Sequence, residues 1–300
     1  MALTAGILKS RLKLQARKWR SWYEAAFFGF TPEDLGRVIR EMGVQRGGTV
    51  FVHSAFGNFG GFSGTAVDVI RLLQELVGEE GAVLMPNQPT QGSAIDWIRS
   101  GEVWDEQKTP TRMGLLPEFF RRMPGVRRSL HPTHPVAGWG RKAESMLAGH
   151  EEAETPCGTG SPYMKLIEER GQILHLGSGF HTTTFLHAVE EFTIPHMPVS
   201  PWTGEFYEGR VRGRDGRERV VRTRLFRPDL AAVRNPGNLV DELQRRGHYQ
   251  RRMLKRLELI VVDAAGLAAT ARELAPRGIF HYDFGKLSPA SQFSTVPPQE

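Results

Sequence analysis

"GGTVFVHSAFGNFGGFSGTAVDVIRLLQELVGEEGAVLMP", residues 47–86, sets the architecture of the chain. Thr49 to Val52 is a β-branched and aromatic run behind two glycines, which predicts a buried strand. Gly57, Gly60, Gly61 and Gly64 open a loop, and from Thr65 to Val77 apolar residues recur at helical spacing. Ala82 to Met85 predicts a second strand. Strand, helix and strand in this order form the unit of an α/β sheet with helices packed on it.

The pattern extends in both directions. Upstream, "TPEDLGRVIREMG" carries Thr31 as N-cap, Pro32 at the first helical position and Asp34 as the acidic half of a capping box. Leu35, Val38, Ile39 and Met42 form its buried stripe, and Gly43 can stop it. Downstream, "TPTRMGLLPEFFRRMPGV" predicts a loop and a short helix, and Val136 and Ala137 lie in a strand. "SPYMKLIEERGQILHLGSG" predicts a helix and then the strand Ile173 to Leu176. "FLHAVEEF", "NLVDELQRRG" and "DAAGLAATARELAP" predict further helices, with "LELIVVD" as a strand between the last two. Around "RGRDGRERV" the composition shifts to Gly, Arg and alternating Val or Thr, which predicts a β-rich segment over 195–225. The expected organisation is a basic and aromatic arm over 1–30, a single α/β domain over 31–286 and a fraying tail over 287–300.

Bulk properties narrow the function. Hydrophobic residues at 40% and charged residues at 24% are those of an ordinary globular protein. Cys157 is the single cysteine, which excludes an intrachain disulfide framework and a Cys-based zinc site and fits a reducing cytoplasm. No transmembrane segment is expected, since no window approaches about 18 consecutive apolar residues. The formal net charge of +6 favours anionic partners. No zinc-finger spacing, RNP signature or heptad-linked basic region is present, so no nucleic-acid partner is expected. Lys9, Arg11, Lys13, Arg17, Lys18 and Arg20 could lie on an anionic surface. The plainer expectation is that Trp19, Trp22, Tyr23, Phe27 and Phe28 pack on the body or on a partner subunit of a homo-oligomer.

Four groups of residues could carry chemistry. The glycine loop between strand and helix could offer backbone N–H groups to a phosphate, or be a tight structural turn. Thr109, Thr111 and Arg112 could add hydroxyls and a forked guanidinium, or cap a helix. His131 and His134 could bind a metal with a third ligand from His53, His175 or His187, or hold a turn; no metal site is assigned. His187 and Glu190 lie at i and i+3, on one face of a helix. The carboxylate can therefore accept from one imidazole nitrogen and leave the other free to take a proton, which is how a general base is oriented.

"VHSAFGNFGGFSGTAVDVIRLLQELVGEEGAVLMP" (52–86), "TPTRMGLLPEFFRRMPGVRRSLHPTHPVAGWG" (109–140) and "ILHLGSGFHTTTFLHAVEE" (173–191) resemble, in order and spacing, the aminoglycoside 3-N-acetyltransferase family. The resemblance implies an α/β fold with a central mixed sheet flanked by helices, distinct from the GNAT acetyltransferases. It implies acetyl coenzyme A as co-substrate, an amine on an amino sugar as acceptor, and direct acetyl transfer. By the same resemblance His187 is the base and Glu190 its orienting partner; backbone donors or the hydroxyls of Thr183 or Thr184 could stabilise the oxyanion. His53, Ser54, Ala55, Phe56, Gly61, Thr65, Thr111, Arg112 and Met113 fall on the coenzyme side, and His131, His134, His181 and Thr183 on the acceptor side. Two departures stand out. His181 and the threonines 182–184 replace an acidic residue before an Asn-Thr pair, and "FTIPHMPVSPWTGEFYEGRV" resembles members of sugar and polysaccharide pathways. The alternatives are a family member that binds coenzyme A, anions or a membrane surface without catalysis, and a metal-dependent hydrolase.

Overall fold

In a computed structural model the described residues are 15, 19 and 22–287. The basic positions 9, 11, 13, 17, 18 and 20 of the arm, and the tail from 288 onward, lie outside them.

The chain runs through α1 (Pro32–Glu41), β1 (Thr49–Ser54), α2 (Ala66–Val77), β2 (Ala82–Pro86), α3 (Ala94–Arg99), β3 (Val103–Asp105) and α4 (Leu115–Phe120). Next come β4 (Arg127–Arg128), β5 (Val136–Trp139), α5 (Arg141–Leu147), α6 (Pro162–Glu168), β6 (Gln172–Leu176) and α7 (Leu186–Thr193). The last part holds β7 (Tyr207–Arg212), β8 (Glu218–Thr223), α8 (Gly237–Arg245), β9 (Tyr249–Leu254), β10 (Leu257–Asp263) and α9 (Ala264–Leu274). One seven-stranded sheet has the order β4-β5-β2-β1-β6-β10-β9. Its centre, β2-β1-β6, is parallel, and the strands outside it pair antiparallel, so the sheet is mixed as expected.

The period of two along each strand builds two cores. Val50, Val52, Val83, Met85, Leu174 and Leu176 face α1, α2 and α4. Phe51, Leu84, Ile173, Ile260 and Val262 face α5 to α9. A sheet covered on both sides requires strands that are apolar at every position, which is why β1 and β2 read as continuous runs. Helices α1 and α2 enter through reciprocal capping boxes, Thr31 with Asp34 and Thr65 with Asp68. Leu35, Ile39 and Met42 are fully buried and Val38 nearly so. Each such side chain stabilises by about 1.5–3 kcal/mol.

The expected β-rich segment is a hairpin, β7 with β8, in a second, three-stranded sheet. Its third strand, β3, is not among the strands expected from the sequence. It is only three residues long and is defined by its partner, pairing in parallel as Val103↔Arg210 to Asp105↔Arg212. Strand β9 also went unforeseen, because "YQRRML" is an edge strand with four exposed central residues and no alternation.

Residues 22–28 are helical. The Phe28 ring lies under the Arg256 guanidinium at 4.4 Å. Trp19, Trp22, Tyr23 and Phe27 are exposed. The arm meets the glycine loop closely: a Cβ at Gly61, where φ is +88°, would lie 2.4 Å from the Phe28 carbonyl oxygen. No helix among the described residues is long and apolar enough to cross a membrane.

Candidate active site

His187 and Glu190 lie on α7, whose Leu186 and Val189 anchor it in the core on the α8/α9 side of the sheet. Both ionisable residues are buried, His187 to 6% exposure and Glu190 to 0%. A carboxylate taken fully out of water must be surrounded by donors. Glu190 has three: His187 Nδ1–H at 3.0 Å to each oxygen, His281 Nε2–H at 3.3 Å, and the Tyr282 hydroxyl. Burial pushes the Glu190 carboxyl up, but His187 and His281 outweigh it and hold the group below the usual carboxylate range. It is an anion at neutral pH.

The bond to Glu190 assigns the proton of His187 to Nδ1 and leaves a lone pair on Nε2. Burial, and after it the Arg234 cation, push the imidazole below its ordinary value against the pull of Glu190. The ring is therefore neutral, with Nε2 as a proton acceptor. Around it stand the rings of Phe226 at 4.2 Å, Trp202 at 6.0 Å and His134 at 6.4 Å. Arg234 Nη2 donates to Nε2 at 2.5 Å. Two isolated β-bridges, Trp202↔Phe226 and Arg234↔Tyr282, join these distant segments in pairs beside His187 and Glu190 of α7. Trp202, Phe226, Arg234, His281 and Tyr282 are absent from the sequence reading. The signal available for the last two was a histidine amid aromatics in "FHYDF", just ahead of the turn-rich tail.

The sequence-derived site residues divide by what their polar atoms do. Thr184 is half-buried one turn before His187, and no group among the described residues bonds its hydroxyl; its carbonyl accepts from His187 N at 3.1 Å. Thr183, by contrast, is fully buried: its hydroxyl donates to the Phe180 carbonyl at 2.5 Å and accepts from His175 Nε2 at 3.0 Å. His181 is exposed. Thr133 Oγ1 bonds His134 Nδ1 at 2.9 Å. His134 is pushed down to about 3, chiefly by burial and then by His187. His131 is fully buried, its Nδ1 accepting from the backbone of Thr133 and His134, with its ring stacked on His150 at 4.6 Å. It holds the "HPTH" turn. No group of three or more metal-ligating side chains is assembled among the described residues.

Of the residues that the resemblance puts on the coenzyme side, Ser54 at the end of β1 has a buried Oγ with no partner among the described residues, as does His53 at Nε2. His53 stacks on His175 at 4.9 Å and is pushed down to about 3 by burial. Ala55 donates its N–H to Leu176, and Phe56 opens a single turn of 3₁₀ helix. The Thr111 to Gly114 loop lies beside them, since a Cβ at Gly114, where φ is +107°, would sit 3.9 Å from the Ser54 carbonyl oxygen. Thr111 donates to the Gln88 carbonyl at 2.9 Å and accepts from Met113 N at 3.1 Å, which leaves Arg112 projecting from the loop. A buried hydroxyl and an exposed guanidinium on neighbouring segments are groups that a ligand with polar groups and phosphates could engage. Thr65 and Gly61 serve the scaffold, the first in its capping box and the second under Phe28.

Cys157 is buried, and that burial pushes its thiol well above the ordinary value, so no thiolate is present to act as nucleophile. Glu191 behaves differently from Glu190. Burial pushes it up to about 7 against a hydrogen bond from Thr155 Oγ1 at 2.5 Å, and the Glu190 anion adds to the rise. Its folded value lies above the ordinary 4.5. Below 4.5 both states are protonated and the group contributes nothing; stability falls as pH rises from 4.5 to about 7, and the cost is complete above that. Glu191→Gln is therefore expected to raise Tm at pH 8, relieving on the order of 1–3 kcal/mol, and to leave Tm nearly unchanged at pH 4. Equal shifts at both pH values would contradict this.

Comparison with known proteins identifies the family. A profile described as aminoglycoside 3-N-acetyltransferase matches residues 51–275. The SPbeta prophage-derived aminoglycoside N(3')-acetyltransferase-like protein YokD of Bacillus subtilis (strain 168) is 31% identical over 220 residues, covering 68% of this chain and 80% of its own. The crystal structure of aminoglycoside acetyltransferase AAC(3)-Xa superposes with a TM-score of 0.75 at 22% identity, over 88% of this chain and 99% of that one. The AAC-IIIb binary complex with CoASH superposes at 0.69 and 24% identity, over 84% and 98%. The match over most of the chain, together with the shared fold, places this protein in the aminoglycoside 3-N-acetyltransferase family of acyltransferases.

Proposed function

We propose that the protein transfers the acetyl group of acetyl coenzyme A directly to an amine of an amino sugar, with His187 as general base. The observation that carries this reading is the state of His187: neutral, held through Nδ1 by a buried anion, with Nε2 left as an acceptor that Arg234 Nη2 meets beside the rings of Phe226 and Trp202. Family membership and the coenzyme-bound state named for AAC-IIIb support the donor.

Acetyl coenzyme A supplies an activated acyl group. Ser54, with Ala55 and Phe56, and the loop of Thr111, Arg112 and Met113 would hold it, with Arg112 meeting phosphate. His187 takes a proton from the acceptor nitrogen as that nitrogen attacks the thioester carbonyl, and Glu190 stabilises the resulting imidazolium. As the C–S bond breaks, the departing coenzyme A thiolate takes that proton from His187 and leaves as the free thiol. Thr184, the threonine with an unengaged hydroxyl near the base, would donate to the developing oxyanion. His134 and exposed His181 flank the acceptor. The buried, unbridged Cys157 supports a cytoplasmic setting.

Release of free thiol from acetyl coenzyme A in the presence of amino sugars, nucleotide-linked amino sugars and aminoglycosides tests this reading. Acceptor-dependent release is expected, with an N-acetylated product in the mass spectrum. Absence of release across the whole panel would overturn it, as would an acetylated enzyme that accumulates on Cys157.

A further inference from the structure

Arg234 occupies the position that an acceptor amine must take. Its Nη2 lies 2.5 Å from His187 Nε2 and 3.3 Å from Nδ1, with the guanidinium 5.2 Å from the centre of the Phe226 ring. The backbone is pinned by the bridge to Tyr282 and by the Asp283 N–H donating to the Val233 carbonyl at 2.8 Å. The side chain is half-buried, and its Nε is a buried donor without a partner among the described residues. No carboxylate pairs with it among the described residues. The nearby anion, Glu190, already accepts from His187, His281 and Tyr282.

A fixed cation at the proton-accepting nitrogen of the base is the wrong charge for a polycationic acceptor, because like charges in a partly desolvated cleft repel. It is the right charge for an acceptor that brings an anion. Two planar N–H donors can fork onto phosphate or carboxylate oxygens, the geometry for which a guanidinium is suited. Engaging such an anion would also take Nη2 off Nε2 and leave the lone pair to the amine.

On the acetyl-transfer reading above, we propose that Arg234 selects the acceptor: it binds an anionic group of an amino sugar, phosphate or carboxylate, and in doing so frees Nε2 of His187 for the neighbouring amine. The net charge of +6 draws such acceptors to the same molecule.

The experiment compares glucosamine, glucosamine 6-phosphate, glucosaminuronic acid and an aminoglycoside as acceptors for the wild-type protein, Arg234→Ala and Arg234→Lys. Wild type should use an anionic sugar at least about tenfold better than glucosamine in kcat/KM, the scale of one charge-assisted pair. Preference for the phosphate or for the carboxylate identifies which anion is read. The ratio should approach one in Arg234→Ala and lie between in Arg234→Lys. An unchanged ratio in Arg234→Ala, or a wild type that favours the aminoglycoside, would overturn the proposal. If the wild type acetylates none of the four, the acetyl-transfer reading fails for this class of acceptor, and calorimetry still decides the role of Arg234. Glucosamine 6-phosphate should bind wild type about tenfold more tightly than Arg234→Ala, and equal affinity overturns the assignment. Arg234→Gln replaces Arg234→Ala if the latter melts early.

Discussion

Turnover of His187→Ala is expected to fall by about 10²-fold or more, while its affinity for acetyl coenzyme A changes little. The separation follows from position. His187 sits at the start of α7 against Phe226 and Trp202, whereas Ser54 and Arg112 belong to the end of β1 and the loop before α4. The loss should therefore appear in kcat, because the interaction removed is one made as the acceptor nitrogen sheds its proton. Calorimetry with the coenzyme and steady-state kinetics with a competent acceptor check both halves. A variant that binds the coenzyme and keeps near-normal turnover removes His187 from the chemistry.

Glu190→Gln is expected to be nearly as severe, at about 10²–10⁴-fold in kcat, for a different reason. An amide has the shape of the carboxylate but not its charge. It cannot stabilise the imidazolium, and its NH₂ can donate to Nδ1, which moves the ring proton to Nε2 and removes the lone pair that must act. The pH profile adds a sign. Because burial and Arg234 hold His187 below its ordinary 6.5, the acid limb of kcat/KM in the wild type should fall below that value, with activity lost as pH drops through it. Glu190 is the group that pulls His187 upward, so the limb in Glu190→Gln should lie lower still, on a smaller maximum. A limb that moves upward would contradict the assigned pair. The variant should also be less stable, since His281 and Tyr282 lose a buried charged acceptor.

The parts of this molecule that were legible in its sequence are those set by local rules. A capping box at Thr31 and the helical spacing of apolar residues after Thr65 marked two helices, and the apolar runs of β1, β2 and β10 marked strands. The spacing of His187 and Glu190 on one turn of a helix was enough to foresee their contact. What was hidden arrives from far along the chain. Arg234 is 47 residues from His187, and Tyr282 is 92 from Glu190, and the single β-bridge that pairs Arg234 with Tyr282 leaves no periodic trace. Thr65 and Gly61 show a second limit. A capping threonine and a glycine that admits a neighbouring backbone are the same residue types that a phosphate loop uses, so sequence alone could not separate the two uses. Similarly, Thr183 and Thr184 are adjacent and chemically identical, and only packing against His175 commits the first of them to the scaffold.

A crystal structure of the protein with coenzyme A and an amino-sugar acceptor would go straight to the arrangement on which all of this depends. The acceptor nitrogen should lie about 2.6–3.2 Å from His187 Nε2, with Nδ1 still on Glu190. An acceptor bound elsewhere, with Nε2 facing only protein, would contradict it.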